Sequence, residues 1–148
     1  MIKKVETRED IKQFGEYKVQ LIKYHQQYAN LLGLQDNAVE KYSYESAVRN
    51  VGKPDYHQFL IMDKTDPVGI LEYQITNSDI DGAPILYLKN IYITASARGN
   101  GIGTRIVTGL KELGYRIELE CWYGMPSNRL YKELGAKEIK TRYVLHGI

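Results

Sequence analysis

Gly99, Gly101 and Gly103 fall within five consecutive positions of the run Ala97-Arg98-Gly99-Asn100-Gly101-Ile102-Gly103-Thr104. Such spacing strips side chains from places where backbone N–H groups can converge on a ligand. Apolar residues at helical spacing follow at Ile106, Val107, Leu110 and Leu113, with Gly114 as the stop. The turn therefore opens a helix, whose N-terminal N–H groups and dipole favour an anion such as a phosphate or pyrophosphate. Arg98 and Arg105 add charge for such a contact. A P-loop, Gly-x-x-x-x-Gly-Lys-Ser/Thr, occurs nowhere in the chain. A dinucleotide fingerprint fails at Thr104, which stands where its third glycine belongs, although Glu120 lies about twenty residues further on, as that pattern asks. Only about forty residues follow the turn, too few for the further βαβ units of such a fold. A tight structural turn is the plain alternative.

The elements that must hold this turn can be read outward from it. Ile85 to Ile93 is rich in β-branched and aromatic residues and predicts a strand running into the turn. Ile117 to Tyr123 alternates in polarity and predicts another, so that strand, helix and strand make a right-handed crossover with the two strands parallel. Upstream, Phe59-Leu60-Ile61-Met62 and Val68 to Ile75, separated by Asp63-Lys64-Thr65-Asp66-Pro67, predict an antiparallel hairpin. Thr7 before Arg8-Glu9-Asp10 marks the start of a long first helix, carried by Ile11, Phe14, Leu21, Ile22, Tyr28 and Leu32 and ending near Gly33. Ser43 caps a short second helix with Tyr44, Val48 and Val51 on one face. Pro126 and Ser127 open a last helix that Gly135 ends, and a final strand is expected around Ile139 to Leu145.

The whole chain reads as one domain over residues 1–148. Its 43% hydrophobic and 26% charged residues are ordinary globular composition. A net charge of +2 implies no nucleic-acid or membrane partner. Without an apolar leader or a spanning stretch, the reading is cytoplasmic. The single cysteine, Cys121, is expected in the core, and His25, His57 and His146 have no metal-pair spacing, so no metal is expected.

Arg98-Gly99-Asn100-Gly101-Ile102-Gly103 resembles the central motif of the GNAT N-acetyltransferase superfamily, Arg/Gln-x-x-Gly-x-Gly/Ala, after an apolar strand. Ile91-Tyr92-Ile93 upstream and Leu130-Tyr131-Lys132-Glu133-Leu134-Gly135-Ala136 downstream sit at that family's spacing. The resemblance implies an acyl-coenzyme A N-acyltransferase fold of the α/β class. Its mixed, mostly antiparallel central sheet is flanked by helices and splays at a parallel pair. It implies acetyl-coenzyme A as acetyl donor, with Ile91, Tyr92 and Ile93 offering backbone groups to the pantetheine arm. Residues 98–104 (Arg98, Gly99, Asn100, Gly101, Ile102, Gly103 and Thr104) would take the pyrophosphate. Tyr131 stands where the family often places a general acid, and a phenol with a pKa of about 10 can protonate a departing thiolate. A backbone N–H near Ile93 would serve the oxyanion.

Two positions depart from the family's pattern. Many relatives carry a carboxylate on the strand before the turn, where this chain has Lys89 and Asn90; Glu120 and Glu72 are the substitutes for a general base, with a water chain as a third route. At Gly124 relatives often have an asparagine that touches the pantetheine arm, and Asn128 is the candidate to compensate. The acceptor is expected to be a primary amine of a small molecule or peptide. Tyr24, Tyr28, Tyr42 and Tyr44 with Asp36, Glu40 and Glu45 form either a mouth for a cationic amine or ordinary helix faces. Homodimers are common in the family. The alternative function is a sensor or pseudoenzyme that binds acetyl-coenzyme A without chemistry.

Overall fold

The computed structural model describes residues 1–35 and 44–148. Ser43, Asp36, Glu40 and Tyr42 lie outside them. In chain order the elements are β1 (Ile2–Lys4), α1 (Arg8–Leu31), α2 (Tyr44–Ala47), β2 (Tyr56–Asp63), β3 (Asp66–Asn77), β4 (Pro84–Ile93), α3 (Ile102–Lys111), β5 (Arg116–Glu118) and α4 (Ser127–Glu133).

Helix α1 begins where the sequence asks. Asp10 N–H donates to Thr7 Oγ1 at 3.0 Å and Thr7 N–H donates to Asp10 Oδ2 at 3.0 Å, a reciprocal cap that satisfies two otherwise orphaned donors. Lys3 of β1 reaches the same carboxylate at 2.8 Å and ties the first strand to the helix start. Strand β1 itself was not legible in the sequence, because its three residues are all exposed and carry no buried face.

The sheet has the order β1-β2-β3-β4-β5, antiparallel throughout except for the parallel pair β4 and β5. One face packs Ile61, Leu71, Leu86 and Leu88 against Ile102, Ile106, Val107 and Leu110 of α3 and Tyr131 of α4. The opposite face packs Leu60 and Ile70 against Val5 and Phe14. Gly69 sits where β3 and β4 approach so closely that a Cβ there would lie 1.9 Å from the Tyr92 carbonyl oxygen, so only glycine allows this register.

Two expectations fail at the C-terminal side. The strand expected over 117–123 is confined to Arg116–Glu118, because its partner β4 pairs with it only from Ile85↔Arg116 to Tyr87↔Glu118. The strand expected at Ile139 to Leu145 is absent. Its alternating apolar residues are exposed, Tyr143 by 86% and Leu145 by 97%, so no buried face holds it in a ladder.

Candidate active site

The parallel pair is closed at one end and open at the other. At the closed end Arg116 donates two hydrogen bonds to Asp81, at 2.9 and 2.7 Å, and two to Glu118, at 3.1 and 2.8 Å, while Ser78 Oγ donates to Glu118 at 2.9 Å. The guanidinium lowers the Asp81 carboxyl to about 2. Beyond Tyr87↔Glu118 the ladder stops, yet β4 continues to Ile93, paired only with β3. Thr94 N–H donates to Val68 O at 2.8 Å, so by strand alternation Tyr92 also faces β3. The peptide groups of Ile91 and Ile93 accordingly face the open edge. Of the three residues singled out on this strand, these two present backbone to a ligand there, and Tyr92 presents its backbone to the sheet.

At the end of that open edge lies the glycine turn. Gly99 and Gly101 have φ of 85° and 73°, the left-handed region that side chains disfavour. Gly101 is the N-cap of α3 and offers no side-chain cap, which leaves first-turn N–H groups of the helix for another acceptor. A cavity of about 240 Å³ opens there, lined by Ile93, Ala97, Gly103, Thr104 and Leu130 together with the turn residues Arg98, Gly99, Gly101 and Ile102. Asn100 is occupied in bracing the turn, its amide donating to Ala97 O at 3.3 Å while its own carbonyl accepts from Arg105 Nη1 at 3.1 Å. An uncapped helix start, side-chain-free backbone and a free strand edge together fit a pyrophosphate joined to an extended amide arm.

Tyr131, on α4, is 7% exposed and packs in the same cluster as Cys121. Burial, and then the neighbouring Cys121, push its phenol well above the ordinary value of 10.0. Burial also raises the Cys121 thiol, against a smaller opposing effect from Ser127. Cys121 is half-buried against the core rather than fully inside it.

The two carboxylates proposed as bases fare differently. Glu72 is wholly buried on β3. It accepts from Lys18 Nζ at 2.9 Å, Asn90 Nδ2 at 2.7 Å and Gln58 Nε2 at 3.2 Å. Its oxygens are spent on structure. Glu120 lies two residues past β5, exposed, and interacts with the phenol of Tyr87, which burial and then Glu120 push up to about 12. Because Tyr87 opposes Glu118 at the last rung of the ladder, this pair stands where β4 and β5 begin to part.

The remaining candidates scatter. Asn128 donates its amide to Trp122 O at 3.0 Å and Met125 O at 3.1 Å, closing the 122–125 turn. Gly124 has φ of 86°, and a Cβ there would lie 3.9 Å from the Tyr28 ring. Tyr24 and Tyr28 meet through their hydroxyls at 3.0 Å, whereas Tyr44 packs beside Gly15 at the far part of α1, and Glu45 is exposed. His57 stacks on Tyr73 at 4.8 Å, and His146 Nε2 lies 2.9 Å from Leu32 O. Among the described residues no group of three or more His, Cys, Asp or Glu is placed to hold a metal, and no helix is long and apolar enough to cross a membrane. Sequence reasoning missed Tyr87, Lys18 and Gln58; the contacts of Lys18 and Gln58 with Glu72 cross 54 and 14 positions and leave no local signal.

Residues 20–136 match the sequence model of the acetyltransferase (GNAT) family. The chain belongs to that family. A mutant of the BH1408 protein from Bacillus halodurans superposes with a TM-score of 0.80 at 14% identity, covering 100% of this chain and 99% of that one. A transcriptional regulator from Bacillus halodurans C-125 superposes at 0.66 with 21% identity, covering 99% of both chains. The enzyme AAC(6')-Iy, solved with a coenzyme A bisubstrate analogue of an acetylated neamine, superposes at 0.67 with 14% identity, covering 100% of this chain and 97% of that one. At these identities the superpositions establish the shared fold.

Proposed function

We propose that this chain moves an acetyl group from acetyl-coenzyme A to a primary amine of a small molecule or peptide by direct attack. The observation that carries the reading is the continuity of one path. It runs from the uncapped start of α3, along the unpaired edge of β4 at Ile93 and Ile91, to the fork of β4 and β5. Turn residues 99–104 hold the pyrophosphate through backbone N–H groups, and Ile91 and Ile93 hold the arm.

At the fork the neutral amine attacks the thioester carbonyl carbon. Negative charge gathers on its oxygen, where the Ile93 N–H is the available donor. Collapse of the adduct breaks the C–S bond, and Tyr131 gives its phenolic proton to the leaving sulfur. A phenol with a raised pKa is a weaker acid, but the same dry wall raises the neighbouring Cys121 thiol. A thiolate released there is destabilised in the same way, which narrows the gap that the proton must cross. Glu120, directly or through water, takes the proton that the attacking nitrogen loses. Glu72, wholly buried and held by three donors, is given no part in this transfer.

A non-catalytic acetyl-coenzyme A binder is the second reading, favoured by Lys89 and Asn90 where relatives carry a strand carboxylate. Calorimetric titration with acetyl-coenzyme A, followed by thiol release over a panel of primary amines, separates the two. Binding with turnover supports the transferase; binding with no turnover on any amine supports the sensor; no binding removes both.

A further inference from the structure

Resting on the acetyl-coenzyme A reading, we infer that Arg98 is a positioning residue that clasps the glycine turn to helix α1, rather than a phosphate ligand. Its side chain turns back from the turn. Arg98 Nε donates to the Ile93 carbonyl at 2.7 Å, the carbonyl that faces the open edge. Its guanidinium carbon lies 5.3 Å from the centre of the Tyr24 ring and 5.7 Å from that of Tyr92, so rings from α1 and β4 both flank it. Each ring is itself held. Tyr92 donates from its hydroxyl to Gln20 Oε1 at 3.1 Å and its ring lies 6.1 Å from that of Tyr17. Tyr24 meets Tyr28 edge-on at 5.3 Å, with the hydroxyls 3.0 Å apart.

Two consequences follow for the cofactor path. The Ile93 carbonyl already accepts one hydrogen bond, so the Ile93 N–H and the Ile91 peptide groups are the less occupied partners for an arm lying on this edge. The four residues between Ile93 and Arg98 are closed into a ring by the Nε bond, which fixes how the turn is aimed relative to the strand. Affinity for coenzyme A therefore depends on Tyr24 and Tyr92, neither of which lines the turn's cavity.

Charge and clasp separate at Arg98→Lys. Lysine keeps the point charge a phosphate would need but loses the planar fork and its stacking. Calorimetric titration of the full chain with coenzyme A is expected to show about tenfold weaker binding for Arg98→Lys, Arg98→Ala and Tyr24→Leu alike. The double variant Arg98→Ala with Tyr24→Leu should be no weaker than Arg98→Ala alone, while Tyr24→Phe, which keeps a ring over the guanidinium, stays within about twofold of the unsubstituted chain. Arg98→Lys binding like the unsubstituted chain, or losses that multiply in the double variant, would overturn the clasp in favour of a phosphate contact. Arg98→Lys lies at an exposed position and keeps this test open if Tyr24→Leu does not fold. No binding by the unsubstituted chain overturns the acetyl-coenzyme A reading, and the clasp with it.

Discussion

Tyr131 and Glu120, the acid and base of the proposed reaction, differ in how far water reaches them. Tyr131 is walled in and Glu120 is open, which suits a proton donor that must not leak and an acceptor that must reload from solvent. Tyr131→Phe is expected to lower kcat about a hundredfold, with the KM for acetyl-coenzyme A changed less than about threefold, in steady-state thiol release. An unchanged kcat would reduce Tyr131 to a packing ring. Glu120→Gln is expected to lower kcat/KM for the amine by about tenfold or more in the same assay. The raised phenol of Tyr131 also sets a direction for stability. Below the unfolded value, near 10, the phenol is neutral in both states and its burial contributes fully; above it, the unfolded chain gives up a proton that the folded chain keeps. Stability should therefore fall as pH climbs from 10 toward the folded value. Tyr17, Tyr24, Tyr73 and Tyr87 are shifted the same way, so Tyr131→Phe should remove part of that slope in urea midpoints measured between pH 9 and 11.

Elements place these residues through their ends. The start of α3 is left uncapped by Gly101, and the start of α1 is capped twice over by Thr7 and Asp10. In the proposed reading one end serves binding and the other holds the fold. Gly101→Asp puts a side chain on a left-handed φ and a negative charge at the anion site, and should abolish coenzyme A binding in calorimetry while the circular dichroism spectrum stays unchanged. Thr7→Ala should cost about 1 kcal/mol of stability in chemical unfolding and leave coenzyme A affinity alone. Swapped outcomes would show that the two helix starts have been assigned the wrong tasks.

Over the whole molecule, Glu72 is the point at which both layers on one face of the sheet are joined. Lys18 comes from α1, Gln58 from β2 and Asn90 from β4, and Gln58 also donates to Asn50 O at 2.9 Å. Asn90 faces Glu72 at the bulge that shifts the β3 to β4 register between Glu72 and Tyr73, in the part of β4 that has lost β5 and is paired with β3 only. Glu72→Ala leaves Lys18 a largely buried, unpaired cation and is expected to destabilise the fold by about 3 kcal/mol, read as a lower unfolding midpoint. Were Glu72 the base instead, the variant would keep its stability and lose turnover.

Much of this was legible along the chain. Thr7 announced α1 through a cap that spans only three positions, Gly33, Gly114 and Gly135 marked helix ends, and the hairpin and β4 showed themselves through side-chain alternation and turn residues. The glycine turn could be read because it is a backbone shape, and backbone shape is written locally by residue type. Sequence alone thus determined the family motif and the glycine turn that carries it. Tertiary structure decided how far β5 accompanies β4, because a ladder needs two strands and only their pairing fixes where it stops. It also set the two carboxylates apart in their surroundings. Glu72 and Glu120 both sit on alternating strand-like segments, and what separates them is Lys18, Gln58 and Asn90 closing around the one while the parting of the sheet exposes the other. Arg98 shows the same division: its type suggested an anion, and the folded chain spends it on a carbonyl and two aromatic rings.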